Sequence, residues 1–247
     1  MGAGFIMVIL SFDTTSVHGG AALERDRQPL GALRAGGSAH YSVELFELAN
    51  RLLAAAGLRL ADVDLFAAAT GPGSFTGIRV GLAAAQGWAR ALGRPVRGVS
   101  VFEAMVSEAN LRDGIAVPLL DARRGEFYLG IVCGGEDTAA TAMRWTQSGD
   151  GLVLDAARIA ALGRDLQSQA KRVTFIIRED DGAARDLSDR LSSPMEPAAQ
   201  SIIVPSFLAP AIARVARQAA EEGRLQQPEE LDACYIRRSD AELNWRE

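Results

Sequence analysis

Residues 69–92 have the sequence A-T-G-P-G-S-F-T-G-I-R-V-G-L-A-A-A-Q-G-W-A-R-A-L, and this stretch decides how the rest of the chain is organised. The apolar run at residues 63–69 predicts a buried strand that leads into it. Residues 71–73 are turn formers, because glycine adopts positive φ at little cost and proline fixes φ at about −65°. We expect a helix from Thr76, whose hydroxyl would cap it. A strand, a glycine-rich turn and a helix in succession indicate an α/β protein.

The expected helix is apolar around most of its circumference, which is typical of a helix buried on more than one side. The chain's own sheet would take the face made by Ile78, Leu82, Ala85, Ala89 and Leu92. Small residues four apart on another face would let a second helix approach closely. A central helix inside one domain explains this pattern, and so does a helix shared with a partner subunit. The second hypothesis places a partner interface at Gly77, Val80, Gly81, Ala84 and Trp88.

Residues 39–56 predict another helix with a broad apolar arc, which again suggests contacts on two sides. We expect Gly57 to end it as a residue in the left-handed conformation. Tyr41, Leu45 and Phe46 lie on its apolar arc and complete the predicted partner interface.

The beginning of the chain is repeated further along. Residues 5–23 give an apolar strand, Asp13, a polar turn and a second strand, and residues 115–132 give the same order with Asp121 in place of Asp13. This repetition indicates an internal duplication. The two aspartates could hold a metal-bound phosphate or act as a base, or each could accept hydrogen bonds from the amides of its own turn.

We divide the chain into an N-terminal domain at residues 1–110, with the partner-binding helices, and a smaller C-terminal domain at residues 111–247. The last helix of the second domain, near residues 206–223, could pack back on the first domain. Ser100 and Glu103 predict a capping box for a helix to residue 109. In the second domain, the pattern predicts a helix at 155–163, a strand at 173–178 and a solvated charged stretch at 179–197.

Composition argues against several classes of function. The net charge is −5 and no basic block is present, so a large phosphate-binding surface of the chain's own is not expected. Cys133 and Cys234 match no metal or redox spacing. We expect a cytoplasmic protein without a membrane segment. His40 has Glu44 instead of a second histidine one turn later, so we expect no histidine-bound metal.

Residues 69–89 closely resemble the signature segment of the bacterial TsaB (YeaZ) family. Other segments agree in order: L-S-F-D-T-T-S at 10–16, G-V-S-V-F-E-A-M at 98–105, L-D-A-R-R-G-E-F-Y at 120–128, and C-Y-I-R-R-S at 234–239. The resemblance covers most of residues 5–126 and the tail, and it leaves residues 134–200 unassigned.

The resemblance implies a two-domain fold of the sugar-kinase, Hsp70 and actin (ASKHA) type with a reduced second domain. It also implies a non-catalytic dimerisation subunit that supports a TsaD-like enzyme in transferring threonylcarbamoyl to the adenosine beside the tRNA anticodon. The implied partners are that catalytic subunit, a TsaE-like ATPase and, for the chain alone, a second copy. Transfer RNA would be reached only through the complex.

The resemblance further implies no catalytic residues, no metal and no tightly bound cofactor. A vestigial nucleotide cleft would lie at Asp13, Thr14, Thr15, Ser16 and Asp121, with at most weak binding of ATP or ADP with magnesium. Family members also carry a glycoprotease label, and nothing in the sequence supports proteolysis. An ATP-dependent small-molecule kinase and a metal-dependent transferase of the same fold remain alternatives.

Overall fold

The computed structural model describes residues 7–36, 41–111, 114–135, 144–147, 151–169, 172–192 and 200–236. The chain divides into two compact units. The first comprises Met1–Ser107 and Ser206–Ala233, and the second comprises Glu108–Pro205 and Cys234–Glu247. The boundary expected after residue 110 lies close to the first of these division points.

Twelve strands are described. They are β1 (Val8–Asp13), β2 (Gly20–Arg25), β3 (Gln28–Arg34), β4 (Leu65–Gly71), β5 (Val96–Ser100), β6 (Ile115–Asp121), β7 (Glu126–Leu129), β8 (Val132–Gly135), β9 (Arg144–Gln147), β10 (Leu152–Asp155), β11 (Val173–Arg178) and β12 (Gln200–Val204). The described α-helices are α1 (Tyr41–Ala55), α2 (Phe75–Leu92), α3 (Val101–Ala109), α4 (Ala156–Gln169), α5 (Gly182–Ser192) and α6 (Ala209–Glu221). No helix among the described residues is long and apolar enough to cross a membrane.

The sheet of the first unit has the strand order β3-β2-β1-β4-β5. The central strand β1 pairs antiparallel with β2 and parallel with β4. Alternation along β1 separates two layers: Leu10 and Phe12 share a core with α1 and α2, whereas the Ser11 hydroxyl donates to the Ala209 carbonyl of α6. The first unit therefore has helices on both faces of its sheet.

The second unit repeats this pairing pattern with the order β10-β7-β6-β11-β12. Its central strand β6 pairs antiparallel with β7 and parallel with β11, and β11 pairs parallel with β12. The hairpin β8–β9 lies off this path and pairs with β6. Two sheets of like topology, each built around a strand that ends in aspartate, confirm the predicted duplication.

The solvated stretch expected at residues 179–197 was wrong for Gly182–Ser192, and residues 193–197 of it lie outside the described residues. α5 lies there, and it buries Ala184, Leu187 and Leu191 against the second unit's core. Asp181 caps it by accepting a hydrogen bond from the Ala184 N–H at 2.9 Å. α5 has four charged and four apolar residues, so its buried face is hard to recognise from composition.

Candidate functional site

The turn that follows β1 is closed around the carboxyl group of Asp13, which is fully buried. Its Oδ1 accepts hydrogen bonds from the Thr15 N–H at 3.0 Å and the Thr15 hydroxyl at 2.7 Å. Its Oδ2 accepts one from the Leu208 N–H, at 3.3 Å, just before α6. These donors all belong to the first unit, so Asp13 joins the turn to the start of α6.

Thr14 connects the same turn to α2. Its hydroxyl donates to the Gly77 carbonyl at 2.6 Å. A Cβ added at Gly77 would lie 1.8 Å from the Thr14 carbonyl oxygen, and one at Gly81 would lie 2.4 Å from the Thr14 Oγ1. Both glycines are therefore required by the chain's own packing, because no side chain fits between helix and turn.

Tyr41 holds the turn from α1. Its hydroxyl donates to the Ser16 carbonyl and accepts a hydrogen bond from the Gly19 N–H at 3.0 Å. Burial raises the pKa of Tyr41 above its ordinary value, which keeps the hydroxyl protonated and able to donate. Tyr41 therefore makes its hydrogen bonds inside its own unit and not on the outer side of α1.

Asp121 has the same relation to its turn in the second unit. Its Oδ1 accepts from the Arg123 N–H at 2.7 Å, as Asp13 Oδ1 accepts from Thr15. The Asp121 N–H donates to Asp181 Oδ2 at 2.8 Å. Two roles were considered for these aspartates: binding a metal-bound phosphate or acting as a base, and accepting hydrogen bonds from the amides of their own turns. The observed bonds favour the second role. Asp13, Thr14 and Thr15 are buried and Ser16 and Asp121 are half-buried, and the nucleotide cleft expected from these residues stays a prediction.

The N-cap of α2 differs from the prediction. Ser74, not Thr76, precedes the helix, and its hydroxyl accepts from the Gly77 N–H at 3.2 Å. Ser74 also donates its own N–H to the Thr15 carbonyl at 2.8 Å, which fixes the helix start on the β1 turn. The predicted core face of α2 is confirmed at Ile78, Leu82, Ala85 and Ala89, which are buried, and Leu92 is half-buried against the same core.

The polar side of α2 also makes contacts within the first unit. Gln86 Nε2 donates to the carbonyls of Pro228 and Leu231, at 3.0 and 2.7 Å, and Arg90 lies 3.2 Å from Glu229. The C-terminal segment of the first unit therefore lies along this side of the helix. Gln86 and Arg90 are polar residues on this helix, but the helical pattern contains no information about partners more than a hundred positions away.

What remains open on α2 is continuous with the outer side of α1. We define the α1–α2 surface as Val43 and Phe46 of α1 with Val80, Ala83, Ala84, Gly87 and Trp88 of α2. Val43 and Phe46 are 62% and 49% exposed, which is unusual for large apolar side chains. Phe46 meets Trp88 edge-on at 4.9 Å between ring centroids, and Trp88 also contacts Phe12 in the core. The surface is thus anchored to the core beneath it.

The predicted partner interface needs correction at four positions. Leu45 is fully buried, Tyr41 is buried at the β1 turn, and Gly77 and Gly81 lie against Thr14. Phe46, Val80, Ala84 and Trp88 do lie at the α1–α2 surface, where partner binding stays a prediction. The sequence reasoning missed Ala83, although its spacing of four residues from Gly87 is the signal used elsewhere on this helix. A Cβ added at Gly87 meets nothing within 4 Å.

No group of three potential metal ligands among His, Cys, Asp and Glu occurs within the part of the chain that the structure describes. His40, the histidine considered in the sequence, lies outside the described residues.

Comparison with known proteins gives matches of both sequence and fold. The family model for TsaD, tRNA N6-adenosine threonylcarbamoyltransferase, matches residues 34–147. The tRNA threonylcarbamoyladenosine biosynthesis protein TsaB of Bacillus subtilis is 32% identical over 125 residues, covering 51% of this chain and 55% of that protein. TsaB of Escherichia coli is 36% identical over 90 residues, covering 36% and 39%. The chain thus spans about half the length of the first of these curated relatives.

Among solved structures, YeaZ from Pseudomonas aeruginosa superposes with a TM-score of 0.69 at 24% identity, covering 93% of this chain and 99% of that one. HypF from T. kodakarensis superposes with a TM-score of 0.51 at 10% identity, covering 91% of this chain and 49% of that one. The chain therefore has the fold of YeaZ, an α/β fold of the sugar-kinase, Hsp70 and actin (ASKHA) type, as predicted. Its sequence is similar to those of the TsaB proteins, which confirms the resemblance to the TsaB (YeaZ) family.

Proposed function

We propose that the chain is a non-catalytic scaffold subunit in the formation of threonylcarbamoyladenosine in tRNA. A TsaD-like catalytic subunit would transfer threonylcarbamoyl to the adenosine beside the anticodon, and this chain would bind that subunit through the α1–α2 surface. The TsaB relatives are named for this modification, and the chain is also similar to TsaD proteins, whose family model matches residues 34–147. We place a TsaE-like ATPase in the same complex, and a second copy of the chain on the same surface when the partner is absent.

The α1–α2 surface is the observation that carries this proposal. The other sides of α2 contact the sheet, the β1 turn and residues 228–231 of the same unit. One apolar side of α2 is exposed. It contains the small residues Ala83 and Gly87, and it lies next to the exposed ring of Phe46. Exposed apolar patches of this kind commonly mark protein-binding sites. Small side chains at Ala83 and Gly87 would allow a partner helix to approach closely.

The β1 turn supports the non-catalytic part of the proposal. A carboxylate that holds magnesium or acts as a base needs lone pairs directed at the ligand. Protein donors use three of the roughly four lone-pair positions of the Asp13 carboxylate, two on Oδ1 and one on Oδ2, so a kinase-like role for this residue is disfavoured. We therefore propose at most weak binding of ATP or ADP with magnesium, no tightly bound cofactor and, from the relatives' role in tRNA modification, a cytoplasmic location.

Gly87→Arg is the substitution that tests the partner surface. The added side chain meets nothing in the chain's own structure, and replacing a helical glycine favours the helix by up to about 1 kcal/mol. We expect a folded protein whose affinity for the TsaD-like subunit falls at least about tenfold, because a charge would be placed in an apolar contact. Isothermal titration calorimetry with the catalytic subunit of the same cell measures the loss.

Gly182→Arg is the matched control, because Gly182 is an exposed helical glycine of the second unit and an added Cβ there also meets nothing within 4 Å. It should bind the partner as the unsubstituted chain does. Equal affinities for Gly87→Arg, Gly182→Arg and the unsubstituted chain would show that the partner binds elsewhere.

A further inference from the structure

The hairpin tip between β6 and β7 has an unusual backbone for its sequence. Arg123, Arg124 and Gly125 are consecutive and all have positive φ, at 66°, 59° and 76°. Side chains with a Cβ are disfavoured in this region, where glycine, asparagine and aspartate are the usual residues. Two arginines at such positions cost conformational free energy, and strain of this kind is a pointer to function.

The tip is rigid in spite of this strain. Asp121 Oδ1 accepts from the Arg123 N–H at 2.7 Å, the Ala122 N–H donates to the Glu126 carbonyl at 2.9 Å, and the Glu126 N–H donates to the Arg123 carbonyl at 3.1 Å. Both arginines are exposed, and the Arg123 side chain is 87% exposed with its guanidinium 3.8 Å from Asp121. The tip therefore presents guanidinium groups on a fixed backbone.

Arg27 provides a comparison, because it has a similar backbone conformation and forms an ion pair within its own unit. Arg27 also has positive φ, at 69°, in the β2–β3 turn. Its guanidinium lies 2.8 Å from Glu221 of α6, so an ion pair within the unit accounts for its presence. The Arg123 guanidinium lies 3.8 Å from Asp121, which is 1.0 Å longer than the 2.8 Å between Arg27 and Glu221. This longer contact does not explain in the same way why an arginine is at position 123.

The duplicated turn of the first unit gives a second comparison. That turn follows β1 in the position where the β6–β7 tip follows β6, and its Asp13 and Thr15 repeat the bond between Asp121 and Arg123. Tyr41 of α1 and Thr14 hold it by hydrogen bonds, and its exposed tip residues are Val17 and His18. The copy in the second unit has two arginines at its exposed tip instead. The two copies therefore differ in the charge of the tip.

We propose that Arg123 and Arg124 bind phosphates of the RNA backbone, which makes the β6–β7 tip an RNA contact of this subunit. The inference rests on the proposed function, because the tRNA of the complex is the RNA that would reach it. Arginine suits this role because its planar guanidinium can donate two parallel hydrogen bonds to one phosphate. In a chain of net charge −5, a local pair of this kind can hold RNA without a broad basic surface.

The test replaces both residues by glycine, as Arg123→Gly with Arg124→Gly, in the complex with the TsaD-like subunit. Glycine accepts positive φ, so the variant should unfold at the same temperature or a higher one. We expect tRNA transcript to bind about five- to twentyfold more weakly at low salt. The slope of log affinity against log salt should become less steep by roughly 1 to 2, as phosphate contacts are lost.

The control is Arg59→Ala with Arg158→Ala, which removes the same charge from two other exposed arginines, 83% and 74% exposed. It should leave the affinity and the salt slope much closer to those of the unsubstituted complex. An unchanged slope for the glycine variant, an equal effect of the control, or a loss of ATP–magnesium binding without a loss of tRNA binding would each overturn the proposal. Binding to the TsaD-like subunit is measured separately, so failure here leaves the scaffold role standing.

Discussion

Asp13→Ala is expected to lower the free energy of unfolding of the first unit by about 3 to 5 kcal/mol, because hydrogen bonds to a charged group contribute about 1.5 to 3 kcal/mol each. The substitution leaves the Thr15 N–H and the Leu208 N–H buried without their acceptor. It also frees the start of α6 from the β1 turn. Urea denaturation followed by far-ultraviolet circular dichroism measures the change.

Glu47→Ala provides the control, since Glu47 is an exposed carboxylate of α1 in the same unit. It should change stability by no more than about 0.5 kcal/mol, as surface substitutions usually do. Asp13→Asn should fall between the two, because the amide keeps one acceptor oxygen and turns an N–H₂ group towards another donor. If Asp13→Ala unfolds at the same urea concentration as Glu47→Ala, the carboxylate does not hold the turn.

Gly81→Arg is expected to unfold the first unit or to destabilise it by more than about 3 kcal/mol, through overpacking and a buried unpaired charge. A Cβ at this position would already lie 2.4 Å from the Thr14 Oγ1, whose hydroxyl is bonded to Gly77. The rest of the arginine side chain would have to push the β1 turn away from α2. Thermal unfolding and the fraction of soluble protein report the effect.

Gly87→Arg makes the same chemical change six residues further along the same helix, and it should stay as stable as the unsubstituted chain. The pair therefore separates a structural glycine from a surface one. A folded Gly81→Arg with normal stability would mean that α2 and the β1 turn are not in contact as described.

The comparison of these two glycines shows what could and could not be predicted from the sequence. The helical period correctly predicted the buried face with Ile78, Leu82, Ala85 and Ala89, because these apolar residues recur at intervals of three and four. It could not show which of the small residues on the remaining sides are buried and which are exposed. Gly77 and Gly81 are small because of Thr14, which lies 63 positions before Gly77 in the chain, and a periodic pattern contains no information about that contact.

The aspartate turns were predictable for a different reason. A strand that ends in aspartate and is repeated later in the chain pointed to two equivalent turns, and the structure shows the same bond from Asp13 to Thr15 and from Asp121 to Arg123. The conformation of the second tip was not predictable, because arginine at positive φ runs against its preference. α5 was missed for a similar reason, since its burial comes from three apolar residues among charged ones.

Reconstitution of the modification reaction tests the central claim most directly. The chain, the TsaD-like subunit and the TsaE-like ATPase of one cell would be purified and supplied with an activated threonylcarbamoyl donor, and threonylcarbamoyladenosine formed on a tRNA transcript would be measured with each protein alone and in combination. We predict product only when the TsaD-like subunit and this chain are both present, and much less product when Gly87→Arg replaces the unsubstituted chain. Product from this chain without the TsaD-like subunit, or undiminished product when this chain is omitted, would contradict the scaffold role.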